Sequence, residues 1–582
     1  MTTKYPVYNF ISDIFTSNPW FVKIVFYFNS LGKELPVRVY ILLLFLLALL
    51  TGCSKDEQVK KKAPLFNNLG NLQFEITTTT DLARKYFNQG VALAYGFNHA
   101  EAYRSFKEVS RLDTNCAMAY WGMAIVLGPN INAPMDGADV PTAYEAIQKA
   151  ITLLDNETQR EKDYVLALSK RYVPEPPEDR TQIDSAYADA MRELSRRYPD
   201  DLNAATMFAE AVMDLHPWDY WLKDGTPQPW TGEILSTLER VLEKDPEHMG
   251  ANHLYIHSVE ASKNPGKGIP SAERLAYVAP GAGHLVHMPA HIYIRTGNYH
   301  QGSLANKMAI KSDEEYLSQC FQQGLYPLAY YPHNYHFLWA TATLEGDSKT
   351  ALDAAVGTSE KPPDSLLNVC GYQTLQHYSV IHLYAYVTFG KWDEILNESE
   401  PLKEQLYPRG IWHYARGMAF TAKNQLTDAE KELASLDKLR DNKQVNELII
   451  WGINSSGILL KIAYEVLSGE IAAKKKNYKL AISHLKKGIE LESNLRYDEP
   501  PTWFYPVRQN LGAVLIEAGE FTEAEKIYLE DLEEIPENGW ALYGLYQALS
   551  FQNKFKEAEE VKKRFNEAWK HADIVLKSSR IM

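Results

Sequence analysis

From residue 81 onwards, apolar residues recur at the spacing of α-helices, and the alternation typical of strands is rare. The helices come in pairs separated by short turns, so each pair has an apolar face that only a neighbouring pair can cover. The chain has 582 residues, too many for one compact core. A stack of helix pairs needs no central core. The sequence therefore predicts an all-α protein built by stacking.

The clearest unit lies near the C-terminus, where small residues occupy the predicted crossing of two helices and a proline ends the second. Its residues are Leu511, Gly512, Leu515, Gly519, Ala524, Tyr528 and Pro536. They resemble the 34-residue tetratricopeptide repeat, and weaker copies cover most of residues 82–570. The resemblance implies an α-solenoid, a superhelix of helix-turn-helix repeats whose first helices line a concave face. We expect a degenerate N-terminal array over residues 81–400 and a C-terminal array over 401–582.

A short apolar run, residues 39–50, ends at Leu50, Thr51, Gly52 and Cys53. Its 12 residues suit a signal-peptide core and fall short of the roughly 20 that span a membrane. The end of the run resembles the bacterial lipobox. This resemblance implies a tetratricopeptide-repeat lipoprotein of the Gram-negative cell envelope, lipidated at Cys53 and anchored to the outer membrane.

The segments around Cys53 follow from the same resemblance. Residues 1–52 are the predicted signal peptide, and residues 1–36 make it so long that translation is expected to start further along. Residues 54–57 resemble a surface-export tag, which predicts exposure at the cell surface. Residues 53–80 are polar and lysine-rich and are predicted to form a flexible tether after the lipidated cysteine.

Charge and cysteine content exclude two classes of function. The formal net charge is −14 and there is no basic stripe, so a nucleic-acid partner is not expected. The four cysteines form no CxxC pair, and one of them is assigned to lipidation. The remaining three are interpreted as small buried residues rather than a disulfide framework.

Histidines are concentrated in the middle of the chain, where nine of the 16 lie between residues 248 and 336. His253 and His287 are 34 residues apart, as are His257 and His291, so they occupy equivalent positions in consecutive repeats. On the first helix Glu260 shares a face with its two histidines. On the second, His284 shares a face with His287 and His291, and Arg295 continues it. Further groove residues are predicted at Glu210, His333 and His336.

Three hypotheses explain this cluster. Imidazole is the commonest metal donor, so His253, His257, His284, His287 and His291 could bind Zn, Cu or Ni, with Glu260 as a ligand, an orienting group or a catalytic base. The pairs lack the HExxH pattern of a metalloprotease. Alternatively the histidines line a groove for an organic ligand or peptide and need no cofactor, or they pack between helices.

A second cluster precedes the clearest repeat and contains Trp503, Tyr505 and Arg508. It is predicted to close one end of the groove, with Arg508 binding a carboxylate or phosphate; the alternative is packing of Trp503 and Tyr505 into the array. Two insertions, residues 128–136 and 216–230, are expected to cover the binding face.

Three functions follow from these features. The leading one is a membrane-anchored protein that binds a small molecule or protein in a concave groove lined by His and Tyr. The second is a metal-dependent enzyme that uses residues 253–291. The third is an interaction scaffold of an envelope complex.

Overall fold

Helices account for almost all the regular structure in residues 63–319 and 326–582, which are the residues that the computed structural model describes. The helices in the first half are α1 (Asp81–Tyr95), α2 (His99–Leu112), α3 (Ala117–Ile125), α4 (Val140–Ile151), α5 (Gln159–Leu168), α6 (Thr181–Arg197), α7 (Leu202–Leu215), α8 (Thr231–Lys244), α9 (Met249–Val259), α10 (Ile269–Val278), α11 (Gly283–His287), α12 (Pro289–Arg295) and α13 (Tyr299–Gln319).

A π-helical turn, Tyr326–Tyr330, leads into the second half. Its helices are α14 (Tyr331–Glu345), α15 (Ser348–Glu360), α16 (Ile381–Thr388), α17 (Trp392–Asn397), α18 (Leu406–Ala422), α19 (Leu426–Arg440), α20 (Lys443–Glu447), α21 (Ser456–Lys474), α22 (Tyr478–Ser493), α23 (Val507–Ala518), α24 (Phe521–Glu534), α25 (Gly539–Phe551) and α26 (Phe555–Ala568). The strands β1 (Ile449–Ile450) and β2 (Asn454–Ser455) form a small antiparallel hairpin before α21.

Successive helices pack as hairpins, which confirms the predicted all-α array of helix-turn-helix units. The clearest repeat shows how the sequence produces this arrangement. Gly519 adopts a left-handed conformation with φ 81° and ends α23. Gly512 and Gly544 leave room for the buried ring of Tyr528, so α23 and α25 approach α24 closely.

Residues 63–80 differ from the predicted flexible tether, because they pack against the helices. The ring of Phe74 lies among Phe87, Trp121 and Tyr164, with centroid distances of 5.3, 5.9 and 5.3 Å. The threonines that follow are also held: Thr79 N–H donates to Asp113 at 2.8 Å. Apolar residues scattered in a polar segment fix it to the core. Cys53 and the rest of residues 1–62 lie outside the described residues.

The hydrophobic core changes from one cluster to another between residues 290 and 330. The first cluster spans the helices up to α11, with contributions from α13 and the π-helical turn, and the second spans α12 to the C-terminus. Residues 63–582 nevertheless form one compact unit. The predicted division at residue 400 is therefore not where the packing changes.

The C-terminal helices pack back onto the middle of the array. The indole of Trp540 in α25 donates to the carbonyl of Thr343 in α14 at 2.9 Å, and Tyr299 donates to the carbonyl of Pro536 at 2.5 Å. Asp573 accepts from the backbone N–H of Ser348 at 2.8 Å. The concave face that the sequence predicts to form a binding groove is thus covered by protein at α12–α15.

Within residues 63–319 and 326–582, no helix combines the length and the apolar character that a membrane span requires.

Candidate metal centre

Six histidines meet on the first helices of three consecutive pairs. They are His253 and His257 on α9, His284 and His287 on α11, His291 on α12 and His333 on α14. Residues four apart lie on one face of a helix, so each such pair presents both rings to the same side. The helices are neighbours in the stack, and the rings of His257 and His291 lie 5.2 Å apart between centroids.

Pro289 breaks the helix that carries three of these histidines. The sequence predicts a kink or a first-turn position here, and the structure has α12 beginning at Pro289, where a missing N–H loses no hydrogen bond. His287 ends α11, before the break. Nε2 of His287 and Nε2 of His291 nevertheless approach to 2.9 Å, so the break keeps both rings on one side.

The nitrogen atoms converge in two groups. The first triad is His253, His257 and His284, and the second triad is His287, His291 and His333; within each, one nitrogen per residue lies within 4.8 Å of the others. Nε2 of His253 lies 3.2 Å from Nε2 of His284. Two nitrogens bound tetrahedrally to one zinc ion would be about 3.3 Å apart, given Zn–N bonds of about 2.05 Å. The spacing therefore suits nitrogens that share an ion.

The opposite nitrogen of several rings is held by an oxygen that can only accept. Nδ1 of His253 donates to the carbonyl of Tyr95 at 2.6 Å. Nδ1 of His287 donates to Oδ1 of Asn306 at 2.7 Å, and the Asn306 amide nitrogen donates to Gly302, which fixes the orientation of the amide. Because Nδ1 carries the proton in these neutral rings, Nε2 presents a lone pair to its triad.

Glu260 holds one histidine of each triad. Oε1 accepts from Nδ1 of His257 at 2.7 Å, and Oε2 accepts from Nδ1 of His291 at 2.5 Å. The carboxylate is fully buried. Burial raises the pKa of Glu260, but the charge of His291 and the hydrogen bonds from His257 and His291 outweigh it, so the pKa falls to about 2. Glu260 thus stays ionised and turns both Nε2 atoms inwards.

These constraints leave lone pairs facing each other. Nε2 of His287 and Nε2 of His291 are 2.9 Å apart, and both Nδ1 atoms already carry a proton. One extra proton between these two Nε2 atoms would form a hydrogen bond. The lone pair on Nε2 of His257 would still have no partner, because this atom is buried and makes no hydrogen bond among the described residues. A metal ion in each triad would use all of these lone pairs.

Five of the six histidines are removed from water, and His333 is partly exposed. The exposed fraction of His253, His257, His284, His287 and His291 is at most 2%. Burial, and then the charge of neighbouring histidines, lowers the pKa of His253, His284, His287 and His333 well below the usual value. Burial also lowers the pKa of His257, against the opposing influence of Glu260. Neutral imidazoles are the form that binds metals.

Aromatic rings form the walls of the cluster. Phe97 lies 4.6 Å from the ring of His253, and Phe337 lies 4.5 Å from that of His291. Trp218, in the insertion at residues 216–230, contacts His257 at 5.1 Å. Tyr330 contacts His284 at 4.8 Å. Trp218 thus brings the insertion at residues 216–230 against the cluster, and covering of the site by the insertion at residues 128–136 stays a prediction.

Two buried acids from the C-terminal part lie next to Glu260. Tyr497 donates to Glu499 at 2.9 Å, and its hydroxyl lies 3.4 Å from Oε2 of Glu260. Burial raises the pKa of Glu499 to about 8 and that of Asp498 to about 6. Arg295 lies 4.0 Å from Glu499, and its Nε donates to the carbonyl of Glu260. Burial therefore keeps a proton on Glu499 at neutral pH, close to the ionised Glu260.

Several predicted groove residues lie outside this cluster. His336 packs against Trp339 and His377 instead of joining a triad. Glu210 lines a separate pocket with Asp214, Arg171 and His99. The histidine cluster therefore does not extend to either position.

The second predicted cluster is structural. Trp503 is buried against the rings of Tyr384 and Tyr414. Tyr505 packs on Trp540 and donates to the carbonyl of Ser579. Arg508 lies 3.8 Å from Glu530, so its charge faces an acid of the chain itself. The alternative of packing into the array describes Trp503 and Tyr505, and the role of Arg508 in binding a ligand stays a prediction.

Sequence reasoning missed the groups that orient and enclose the histidines. Tyr95 acts through its backbone carbonyl, and Phe97 sits in the turn after α1 with φ 54°, so neither leaves a side-chain motif. Tyr497 is 237 residues from Glu260. Asn306 is the one of these groups that the sequence could have indicated, because it is an amide on the apolar side of α13 and faces His287 in α11.

No protein-family model matches the chain, and no curated relative matches it. Similar solved structures include the Cut9–Hcn1 hetero-tetramer of APC/C, at 14% identity over 83% of this chain and 76% of that chain, with a TM-score of 0.30. The human IFIT1 dimer with m7Gppp-AAAA has 13% identity over 84% and 91%, with a TM-score of 0.30. Yeast Tom70 has 13% identity over 83% and 90%, with a TM-score of 0.28. Similarity this low carries no conclusion about function.

Proposed function

We propose that this chain is a transition-metal protein whose centre is formed by the two histidine triads. The observation that carries the proposal is the contact between Nε2 of His287 and Nε2 of His291 at 2.9 Å, with both Nδ1 protons committed to Asn306 and Glu260. Two facing lone pairs repel each other unless a cation lies between them. A buried metal ion would turn this repulsion into two bonds.

The donor set favours zinc, copper or nickel. Imidazole nitrogen suits these ions, whereas calcium and magnesium need mainly oxygen ligands. Each triad supplies three nitrogens, which leaves a fourth position for water or a small molecule. Three protein ligands with an open position are typical of catalytic sites rather than structural ones. The proposal is therefore closest to the metal-dependent enzyme among the functions that the sequence suggested.

Glu260 fits an orienting role better than that of a ligand or base. Both carboxylate oxygens are occupied by Nδ1 protons of His257 and His291. Carboxylates that hold the distal nitrogen of a ligating histidine fix its tautomer and raise its basicity. A metal-free open groove receives less support, because the histidines are buried and the C-terminal helices cover this face.

Metal analysis of the purified full chain tests the proposal. After expression with zinc, copper or nickel supplied, we expect transition metal to copurify with the wild-type protein and to be lost from the double variant His287→Ala/His291→Ala. The matched control is His413→Ala/His484→Ala. These two histidines also pair with carboxylates, those of Glu432 and the buried Glu465, but belong to neither triad.

Circular dichroism of each variant checks that the helices still form. Wild-type protein free of transition metal in all three preparations would overturn the proposal. Equal metal content in the triad variant and the control variant would do the same.

Two expectations from the sequence remain proposals. We propose that Cys53 is lipidated and anchors the protein to the outer membrane, which mass spectrometry of the N-terminal peptide would test. We also propose that the outer helices bind protein partners, since Phe551 and Phe555 of the last pair are 53% and 67% exposed. Loss of a copurifying partner on Phe555→Ser would test this surface.

A further inference from the structure

We propose that the centre holds two metal ions, one in each triad, and that Glu260 couples them by orienting one ligand of each. This inference rests on the proposed metal-binding function and specifies its stoichiometry. Glu260 touches both triads, one through each of its carboxylate oxygens.

A single ion in a compact site does not use six imidazole ligands. Zinc sites in proteins are almost always four-coordinate. Within 4.8 Å the nitrogens form two histidine sets, one of His253, His257 and His284 and one of His287, His291 and His333. A third group, His257, Glu260 and His291, joins the two sets. The sets are adjacent: the ring of His284 lies 5.8 Å from that of His287. The geometry therefore matches a pair of neighbouring ions.

The repeat explains why the site is doubled. Each triad takes two histidines four residues apart from one helix segment and a third from a neighbouring first helix. The pair His253/His257 recurs 34 residues later as His287/His291. The next such pair would lie 46 residues further on, where His333 corresponds to His287 but Phe337 stands in the position of His291. Phe337 packs on the rings of His287 and His291, so the series ends after two sites.

The orienting groups are distributed in the same way. In each triad one ring is held by Glu260 and another by a neutral oxygen. The neutral oxygen is the carbonyl of Tyr95 for His253 and the amide of Asn306 for His287. Between two cations a single buried carboxylate also supplies negative charge to both. Loss of that carboxylate would therefore disturb both sites at once.

Nitrogen-only triads restrict the identity of the ions. Copper and zinc bind imidazole firmly, and within the first-row series copper binds most tightly. We therefore use Cu²⁺ and Zn²⁺ as the two probes. Each probe is added to the metal-free full chain, and bound metal is measured after removal of the excess.

The expected result is two ions per chain for the wild type with at least one probe. His253→Gln and His333→Gln should each retain one ion, because each removes a ligand from one triad only. His484→Gln, which removes a histidine held by Glu465 outside the centre, should retain two. Anomalous scattering from crystals of the loaded protein would locate the ions and assign each to its triad.

Glu260→Gln tests the coupling. An amide can accept from one Nδ1–H and presents N–H to the other ring, so at least one ring must change tautomer. Loss of an orienting partner typically weakens metal affinity by about 10- to 100-fold. We expect that loss in Glu260→Gln, with normal helix content and with metal affinity unchanged in Glu432→Gln, which removes the carboxylate partner of His413.

The outcomes separate the two proposals. One ion per wild-type chain would overturn the two-ion inference and leave metal binding intact. No ion would overturn both. Two ions with unchanged affinity in Glu260→Gln would overturn the coupling role of Glu260.

Discussion

Asp313 joins three elements behind the histidine centre. In α13, its carboxyl accepts from the hydroxyl of Tyr326 and from the amide of Asn334, both at 2.7 Å. Tyr326 in turn accepts from the backbone N–H of His284 at 3.0 Å. Asp313 is fully buried, and burial raises its pKa to about 7 against the effect of both hydrogen bonds. One titratable group thus supports the start of α11.

Asp313→Asn should reduce the pH dependence of stability. In the wild type, the folded carboxyl stays protonated up to about pH 7, whereas in the unfolded chain it ionises near pH 3.8. Its contribution is therefore complete below pH 3.8 and is lost as pH rises through 7. The loss is about 4 kcal/mol at most, at 1.36 kcal/mol per pH unit. Denaturant unfolding at pH 5 and pH 8 measures it.

The exposed Asp364 provides the control, since Asp364→Asn should keep the wild-type pH dependence. An Asp313→Asn variant whose stability falls between pH 5 and pH 8 as steeply as that of the wild type would contradict the assignment.

At the residue scale, the sequence predicted the histidine ligands better than the groups that orient and enclose them. The 34-residue spacing was enough to bring His253 near His287, because equivalent residues of stacked repeats are neighbours in space. The supports act through a carbonyl at Tyr95 or across 237 residues at Tyr497. Neither type of contact has a periodic signal.

Among the helices, the packing of α23, α24 and α25 depends on two glycines. A Cβ atom at Gly512 would lie 2.3 Å from Cζ of Tyr528, and one at Gly544 would lie 2.2 Å from the same atom. Tyr528 is fully buried, and its hydroxyl is 2.7 Å from that of Ser579. The ring therefore cannot move away without losing this contact.

Gly512→Ala should lower the free energy of unfolding by about 1–3 kcal/mol, the usual effect of overpacking a core. Gly232→Ala, in α8, is the matched control, because a Cβ there meets nothing within 4 Å. The control should gain up to about 1 kcal/mol from reduced backbone entropy in the unfolded chain. Urea unfolding of both variants measures the difference; equal effects would show that the crossing is not tight.

The sequence predicted these elements well where the repeat is regular. Leu511 to Pro536 fall on α23, α24 and the turns around them as expected. The middle of the array was less predictable, since the π-helical turn Tyr326–Tyr330 and the break at Pro289 are local departures from the repeat. They also carry or support the histidines, so the irregular elements coincide with the candidate site.

Over the whole molecule, contacts between distant repeats cover the histidine centre. Trp540 is the largest side chain among these contacts, fully buried between Trp569, Tyr505 and Phe389. Its indole N–H donates to the carbonyl of Thr343, 197 residues away. Helices at the end of the chain are thereby joined to α14, which carries His333.

Trp540→Phe should weaken this junction by removing the donor and leaving the Thr343 carbonyl buried without it. We expect a loss of about 1–3 kcal/mol in the free energy of unfolding. Hydrogen–deuterium exchange should rise in α14 and α25 together. Trp392→Phe, at the partly exposed start of α17, should leave both helices protected. Increased exchange in α25 alone would argue that the two regions are independent.

The packing of the last helices onto α14 could not be predicted from the sequence. A repeat pattern predicts contacts between neighbouring repeats and gives no information about contacts between distant ones. Covering of the groove by the last helices was therefore not among the structural expectations. The buried side of α12–α15 depends on individual side chains such as Tyr299 and Trp540, which look like ordinary core residues in the sequence.

The order of the chain has a consequence for how the centre is filled. Ribosomes make the protein from its N-terminus, so all six histidines are complete before residues 497–573, which cover them, have been made. For that interval five of the six ligands that are buried in the finished fold are accessible. The centre is thus open to metal most fully during biosynthesis, before the last helices dock.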